Sequence, residues 1–191
     1  TGPEVIEPKY YTTLPGTAVA PFINGNVHKG IPLRYILGNV ISGIKVDIND
    51  FIDPYASQIF VIDEGTEIHE FLGWAMPRLN KFSATKLFFT PLLQKKFFKK
   101  IFGDIKFSYD ARILGGRRAI IMSNEYDRVL PMDILPEYLF KAMITGNIDK
   151  MEALGGYEIA PEDVALCEFV CTSKLPLQLI VREALDMMKK E

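Results

Sequence analysis

The spacing of apolar and polar positions divides the chain into three stretches. Residues 1–8 hold two prolines and two glutamates and predict an extended linker. Residues 9–13 (Lys-Tyr-Tyr-Thr-Thr) have the aromatic and β-branched composition of a strand. Residues 17–23 have the spacing of a short helix, started by Thr17 and closed by Asn24-Gly25. Residues 32–37 predict a strand ending at Gly38. Gly38 and Gly43 then bracket an apolar-polar core, as a tight turn or a close backbone approach requires. Residues 58–62 (Gln-Ile-Phe-Val-Ile) form the clearest strand pattern, closed by Asp63-Glu64-Gly65, and residues 67–74 predict one more. Residues 9–76 therefore predict a small α+β unit.

The pattern then changes twice. Between Lys81 and Lys106 there are seven lysines, one acid (Asp104) and six phenylalanines. With Pro91 as first helical residue, a step of about 100° per residue puts Leu93, Phe97, Phe98, Ile101 and Phe102 on one side. Lys95, Lys96, Lys99 and Lys100 fall on the other, with Leu92 among them, a basic amphipathic helix ended by Gly103-Asp104. Gly115-Gly116-Arg117-Arg118 predicts a turn. Residues 120–191 are helical in period. A helix over residues 134–145 is closed by Gly146, and Asn147 caps another over 148–154. Pro161-Glu162-Asp163 supplies the first turn before 164–170, and Thr172 or Ser173 caps a last helix with Pro176 in its first turn.

Composition adds little direction. Of 191 residues 48% are apolar and 24% charged, ordinary for a globular chain. The net charge of -2 gives no whole-molecule attraction to nucleic acid, so any such contact needs a local patch. No apolar run approaches the ~20 residues of a membrane-spanning helix. The first residue is not methionine, so the chain reads as a fragment or processed form. His28 and His69 sit in polar or alternating surroundings and predict solvent-facing side chains. No zinc-protease, nucleophile-elbow or phosphate-loop motif occurs. Cys167 and Cys171 lie one helical turn apart. Two thiols fall short of the four ligands an iron-sulfur cluster takes, and small buried core side chains are the expectation for both.

The stretch Cys167-Glu168-Phe169-Val170-Cys171-Thr172-Ser173-Lys174-Leu175-Pro176 nevertheless resembles the end of a cluster-binding Cys-x-x-Cys-x-x-Cys-x-x-x-Cys-Pro motif. In that register the first two cysteine positions are Pro161 and Val164, and Thr172 replaces the closing proline. A second such end surrounds Leu130-Pro131, with cysteine positions at Ile120, Ser123, Tyr126 and Leu130. The pattern resembles a two-cluster ferredoxin domain with six of eight ligands replaced. A domain of this kind, together with Phe71-Leu72-Gly73-Trp74-Ala75-Met76-Pro77, Asn80-Lys81-Phe82-Ser83, Tyr126 to Pro136 and Glu162 to Cys171, resembles the A subunits of the sodium-translocating NADH:quinone reductases. Gly38-Asn39-Val40-Ile41-Ser42-Gly43 resembles the glycine-bounded turn of their soluble-ligand-binding (SLBB) β-grasp domain.

The resemblance implies an α+β chain. It would consist of a linker at 1–8, an SLBB-like, ubiquitin-like β-grasp at 9–76, a basic aromatic connection at 77–119, and an all-helical, ferredoxin-like domain without cluster ligands at 120–191. It implies the carboxyl-terminal part of a peripheral subunit on the cytoplasmic face of the bacterial inner membrane. The complex would pass electrons from NADH to ubiquinone and export sodium. This chain would hold no cofactor, metal or catalytic residue. The flavins and iron centres would lie in partner subunits, and an integral membrane subunit would be the principal partner. A quinone or partner surface, if present, would draw on Phe71, Trp74, Phe82, Phe88 and Phe89, which supply apolar area, and on Lys95, Lys96, Lys99 and Lys100. Phenylalanine-rich segments are more often core. Two other readings stay open: an iron-sulfur or ligand-binding electron-transfer subunit of a related ion-motive complex, and a membrane-surface module using the lysine face.

Overall fold

Two glycines and one asparagine shape the first turn of a small sheet. The computed structural model describes residues 1–67, 69–75, 82, 103, 107 and 109–190. The chain divides into two units, Thr1–Leu114 and Gly115–Glu191.

In the first unit, α1 (Ala20–Ile23) precedes three strands: β1 (Leu33–Leu37), β2 (Ile44–Val46) and β3 (Ile59–Asp63). The sheet order is β2-β1-β3 with both pairs antiparallel; Leu37 stands opposite Ile44 on one side and Ile59 on the other. The β1–β2 connection works because Asn39 Oδ1 accepts the N–H groups of Ile41 and Ser42, both at 2.8 Å. A Cβ on Gly43 would lie 2.4 Å from the Asn39 carbonyl oxygen, so only glycine fits there. Val19, Ile23, Leu37 and Ile52 form the buried core, with Phe22, Tyr35, Val46 and Ile59 packed against it.

Several expectations change here. Residues 9–13 have no ladder partner among the described residues. Residues 67 and 69–75 form irregular backbone, turns and a 3-10 turn at Gly73–Ala75 instead of a strand, with Gly65 and Gly73 in left-handed backbone. The first helix is shorter than 17–23: Ala18 pairs with Phe51, and the Thr17 hydroxyl donates to the Leu14 carbonyl rather than capping the helix. The three-residue β2 has no counterpart among the strands that the sequence pattern predicts. The amphipathic helix expected at 91–102 lies outside the described residues.

The second unit is helical: α2 (Pro136–Thr145), α3 (Ile148–Ala153), α4 (Ala165–Val170) and α5 (Leu177–Met188). Pro136 opens α2 at its first turn, where a missing N–H costs nothing. Gly146 in left-handed backbone ends α2, and the Asn147 side chain accepts the Lys150 N–H at 3.0 Å to start α3. Residues 161–164 are turns rather than the first turn of a helix, and the Asp163 carboxylate accepts the Ala160 N–H. The last helix begins after Pro176 without a Thr172 or Ser173 cap. The Ser173 hydroxyl is committed to the Ala119 carbonyl at 2.9 Å, and the Glu168 carboxylate on α4 accepts the Gln178 N–H in the first turn of α5. Leu139, Phe140, Met151, Leu177 and Val181 are fully buried at the centre of this unit.

Candidate functional site

Local chemistry assembles one buried cluster in the second unit from the positions singled out by the ferredoxin-like register. Tyr126, Leu130, Val164, Cys167 and Cys171 are all buried in the same core, and Ile120 packs against it. Ser123 and Pro161 are half-buried. Tyr126 starts a 3-10 turn (Tyr126–Arg128), and its loop is held by the buried carboxylate of Glu137, which accepts the Ser123 and Asn124 N–H groups at 2.7 and 2.6 Å. That anchor tolerates the left-handed backbone of Asn124. The Tyr126 ring meets Phe140 edge-on at 5.3 Å, and its hydroxyl lies 3.0 Å from Cys171 Sγ. The Leu175 N–H reaches the same sulfur at 3.5 Å.

Both thiols are reduced. Burial, followed by the hydrogen bond to Cys171, holds the Tyr126 phenol far above its ordinary range. Burial, with Asp127 nearby, pushes the Cys167 thiol up to about 11. Isoleucine, leucine, valine and proline carry no donor atom at all. The residues present do not fit a cluster: two thiols, the Tyr126 phenol and the Ser123 hydroxyl cannot replace eight cysteines. Among the described residues no group of three or more His, Cys, Asp or Glu is placed to hold a metal.

The other sequence candidates are scattered. Phe71 is 97% exposed. Trp74 lies in the Gly73–Ala75 turn. The Phe82 ring meets Phe107 edge-on at 5.6 Å and Tyr109 at 6.2 Å. Phe88, Phe89, Lys95, Lys96, Lys99 and Lys100 lie outside the described residues. His28 and His69 are exposed, as their surroundings in the sequence implied. At the turn between β1 and β2, Gly38 and Gly43 are explained by backbone geometry: Gly38 has φ 94°, and Gly43 admits the Asn39 carbonyl.

Two features escape sequence reasoning. Glu64 is gripped by Arg34 at 2.6 and 2.7 Å and by Lys45 at 3.0 Å. The Arg34 hydrogen bonds pull its carboxyl down to about 2. Only the strand register brings Arg34 beside the end of β3. An apolar groove of about 450 Å³ runs between α2 and α5, lined by Met143, Ile144, Leu175, Ile180 and Met187 with Glu183 beside them. Its signal in the sequence is the surplus of apolar positions on α5, where Met187 remains exposed beyond the buried stripe.

Residues 1–47 match the protein-family model described as NQRA C-terminal domain. All 191 residues align with the A subunit of the Na(+)-translocating NADH-quinone reductase of Haemophilus influenzae (strain PittEE) at 38% identity. The corresponding proteins of Pasteurella multocida (strain Pm70) and Rhodopirellula baltica are 37% and 35% identical over the same length. The chain matches this A-subunit family along its whole length. It spans 40% of the length of these relatives. The similarity covers both units, so it includes the cluster of Tyr126, Cys167 and Cys171 as well as the β1–β2 turn.

Proposed function

We propose that this chain is the carboxyl-terminal part of a peripheral subunit in a respiratory complex that transfers electrons from NADH to ubiquinone and couples this to sodium export. The single observation that carries the reading is the end-to-end identity of 35–38% to A subunits of that enzyme. In this reading the first unit is a β-grasp of the soluble-ligand-binding type, and the second is a ferredoxin-like helical domain whose cluster positions have become core. The chain itself carries no redox group. It holds surfaces in place for partner subunits that bring the flavins and iron centres. Its principal neighbour is an integral membrane subunit, met on the cytoplasmic side of the bacterial inner membrane. The chemistry of the side chains supports this division of labour. Ile120, Leu130, Val164 and Pro161 offer no side-chain ligand atom. No helix among the described residues is long and apolar enough to cross a membrane, which suits a protein held by its partners.

The test is to tag the natural polypeptide, extract it gently from membranes, and assay what comes with it. Sodium-stimulated NADH:quinone reductase activity should purify with the tag, together with further subunits in fixed ratio. A tagged protein that elutes alone, with the activity left in the untagged fraction, would remove the proposal.

A further inference from the structure

The strand expected at residues 9–13 is absent, and the manner of its absence is informative. Residues 6–16 form an unbroken run of exposed positions. Tyr10 is fully exposed at 105% and Leu14 is 78% exposed, two of the most open large apolar side chains of the described residues. Tyr11 meets Phe22 edge-on at 5.0 Å, a ring neighbour that Tyr10 lacks among the described ring contacts. Among the described residues no backbone N–H or C=O from Lys9 to Thr13 has a hydrogen-bond partner. On either side the chain is tied down. Glu7 exchanges two bonds with the Asn26 side chain, and Leu14 accepts from both the N–H and the hydroxyl of Thr17. The segment thus has strand composition, firm anchors at both ends and an unpaired backbone between them.

We propose that residues 9–14 are an orphaned strand whose partner lies in the same natural polypeptide, outside these 191 residues. Three-fifths of the length of the A-subunit relatives falls outside the aligned region, so ample chain exists to supply a covering strand. Pairing by backbone hydrogen bonds along an open edge, with alternate side chains seated in apolar neighbours, is the mode such a segment suits. Tyr10 and Leu14 would be the buried side chains of that contact, four positions apart and so on the same face of a strand. The proposal rests on the reading of this chain as part of a longer polypeptide, but not on the electron-transfer role of the complex.

Amide hydrogen exchange tests it on three samples: the 191-residue chain, the natural polypeptide that contains it, and the assembled complex. The proposal expects near-intrinsic exchange at residues 9–13 in the 191-residue chain. It expects exchange slowed about 100-fold or more in the longer polypeptide before any partner is added. A Thr12→Pro variant cannot donate at that position. It should leave the melting temperature of the 191-residue chain unchanged and cancel the protection of its neighbours in the longer polypeptide. Protection already present in the 191-residue chain would place the partner within it and overturn the proposal. Protection appearing only in the complex would assign the partner strand to a different protein of the assembly. Exchange at intrinsic rates in all three would make the segment plain solvent-facing loop; both results overturn the proposal. Reductase activity is measured separately, so failure of the functional reading leaves this test standing.

Discussion

Replacing Glu64 with glutamine removes a charge while keeping shape, and the structure sets the size of the effect. Glu64 accepts two bonds from the Arg34 guanidinium, at 2.6 and 2.7 Å, and one from Lys45 at 3.0 Å. The side chains of Glu64, Arg34 and Lys45 are 20%, 31% and 61% exposed. A carboxyl drawn down from 4.5 to about 2 in the folded chain corresponds to at most about 3 kcal/mol of stabilisation. Solvent around Arg34 screens part of this, which leaves about 1–2 kcal/mol at pH 7. The sign follows from the direction. A carboxyl whose folded pKa is depressed contributes fully above its unfolded value, near 4.5. It loses that contribution as the pH falls through about 2. Glu64→Gln should therefore destabilise the first unit by about 1–2 kcal/mol at pH 7, by less than half of that at pH 3, and by almost nothing at pH 2. Urea unfolding followed by tryptophan fluorescence reads this unit alone, because Trp74 is the single tryptophan and lies within Thr1–Leu114. Lys45→Met is the control and should cost no more than about 0.5 kcal/mol, since that lysine is well exposed. A Glu64→Gln effect below about 0.5 kcal/mol at pH 7, or the same effect at pH 3 as at pH 7, would refute the reasoning.

Further outcomes follow from the same geometry. Tyr126→Phe removes the hydroxyl beside Cys171 Sγ and should lower the stability of the second unit by about 1 kcal/mol in urea titrations, whereas Tyr126→Ala opens a cavity and should cost about 3–5 kcal/mol. Gly43→Ala forces a methyl against the Asn39 carbonyl and should cost about 2 kcal/mol or more, read as a drop in melting temperature of the first unit, while Ser42→Ala should cost less than about 1 kcal/mol. Replacing Lys95, Lys96, Lys99 and Lys100 with glutamate should leave the circular dichroism of the isolated chain unchanged yet weaken its assembly with partner subunits, more strongly at low ionic strength. Unchanged assembly after four charge reversals would make that face an ordinary solvated one.

Legibility in the sequence followed the range of the interactions involved. The junction of α2 and α3 was readable to within a residue or two, because Gly146 and Asn147 act on their own helix ends. β3 was readable because Ile59, Val61 and Ile62 are apolar and the strand is closed by local turn chemistry. Where a partner distant in sequence decides the structure, the pattern misled. The cap of α5 comes from Glu168, ten residues before Gln178, while the expected capping hydroxyl of Ser173 serves Ala119. Residues 9–13 have strand chemistry without a strand partner among the described residues, and β2 exists because β1 is there to pair with it. At the candidate site, the burial of Cys167 and Cys171 was readable from their helical spacing. The phenol of Tyr126 against Cys171 was not, since 45 residues separate them.

The core around that phenol carries the central claim, that this chain holds no redox group of its own. The most direct measurement is the content of iron, acid-labile sulfide and flavin in the natural polypeptide, released from its complex under anaerobic, non-chelating conditions and compared mole for mole with the intact complex. The account predicts that iron, sulfide and flavin all stay with the partner subunits, leaving only trace amounts on this chain. Stoichiometric iron with matching sulfide on the released chain, or one flavin per chain, would contradict it.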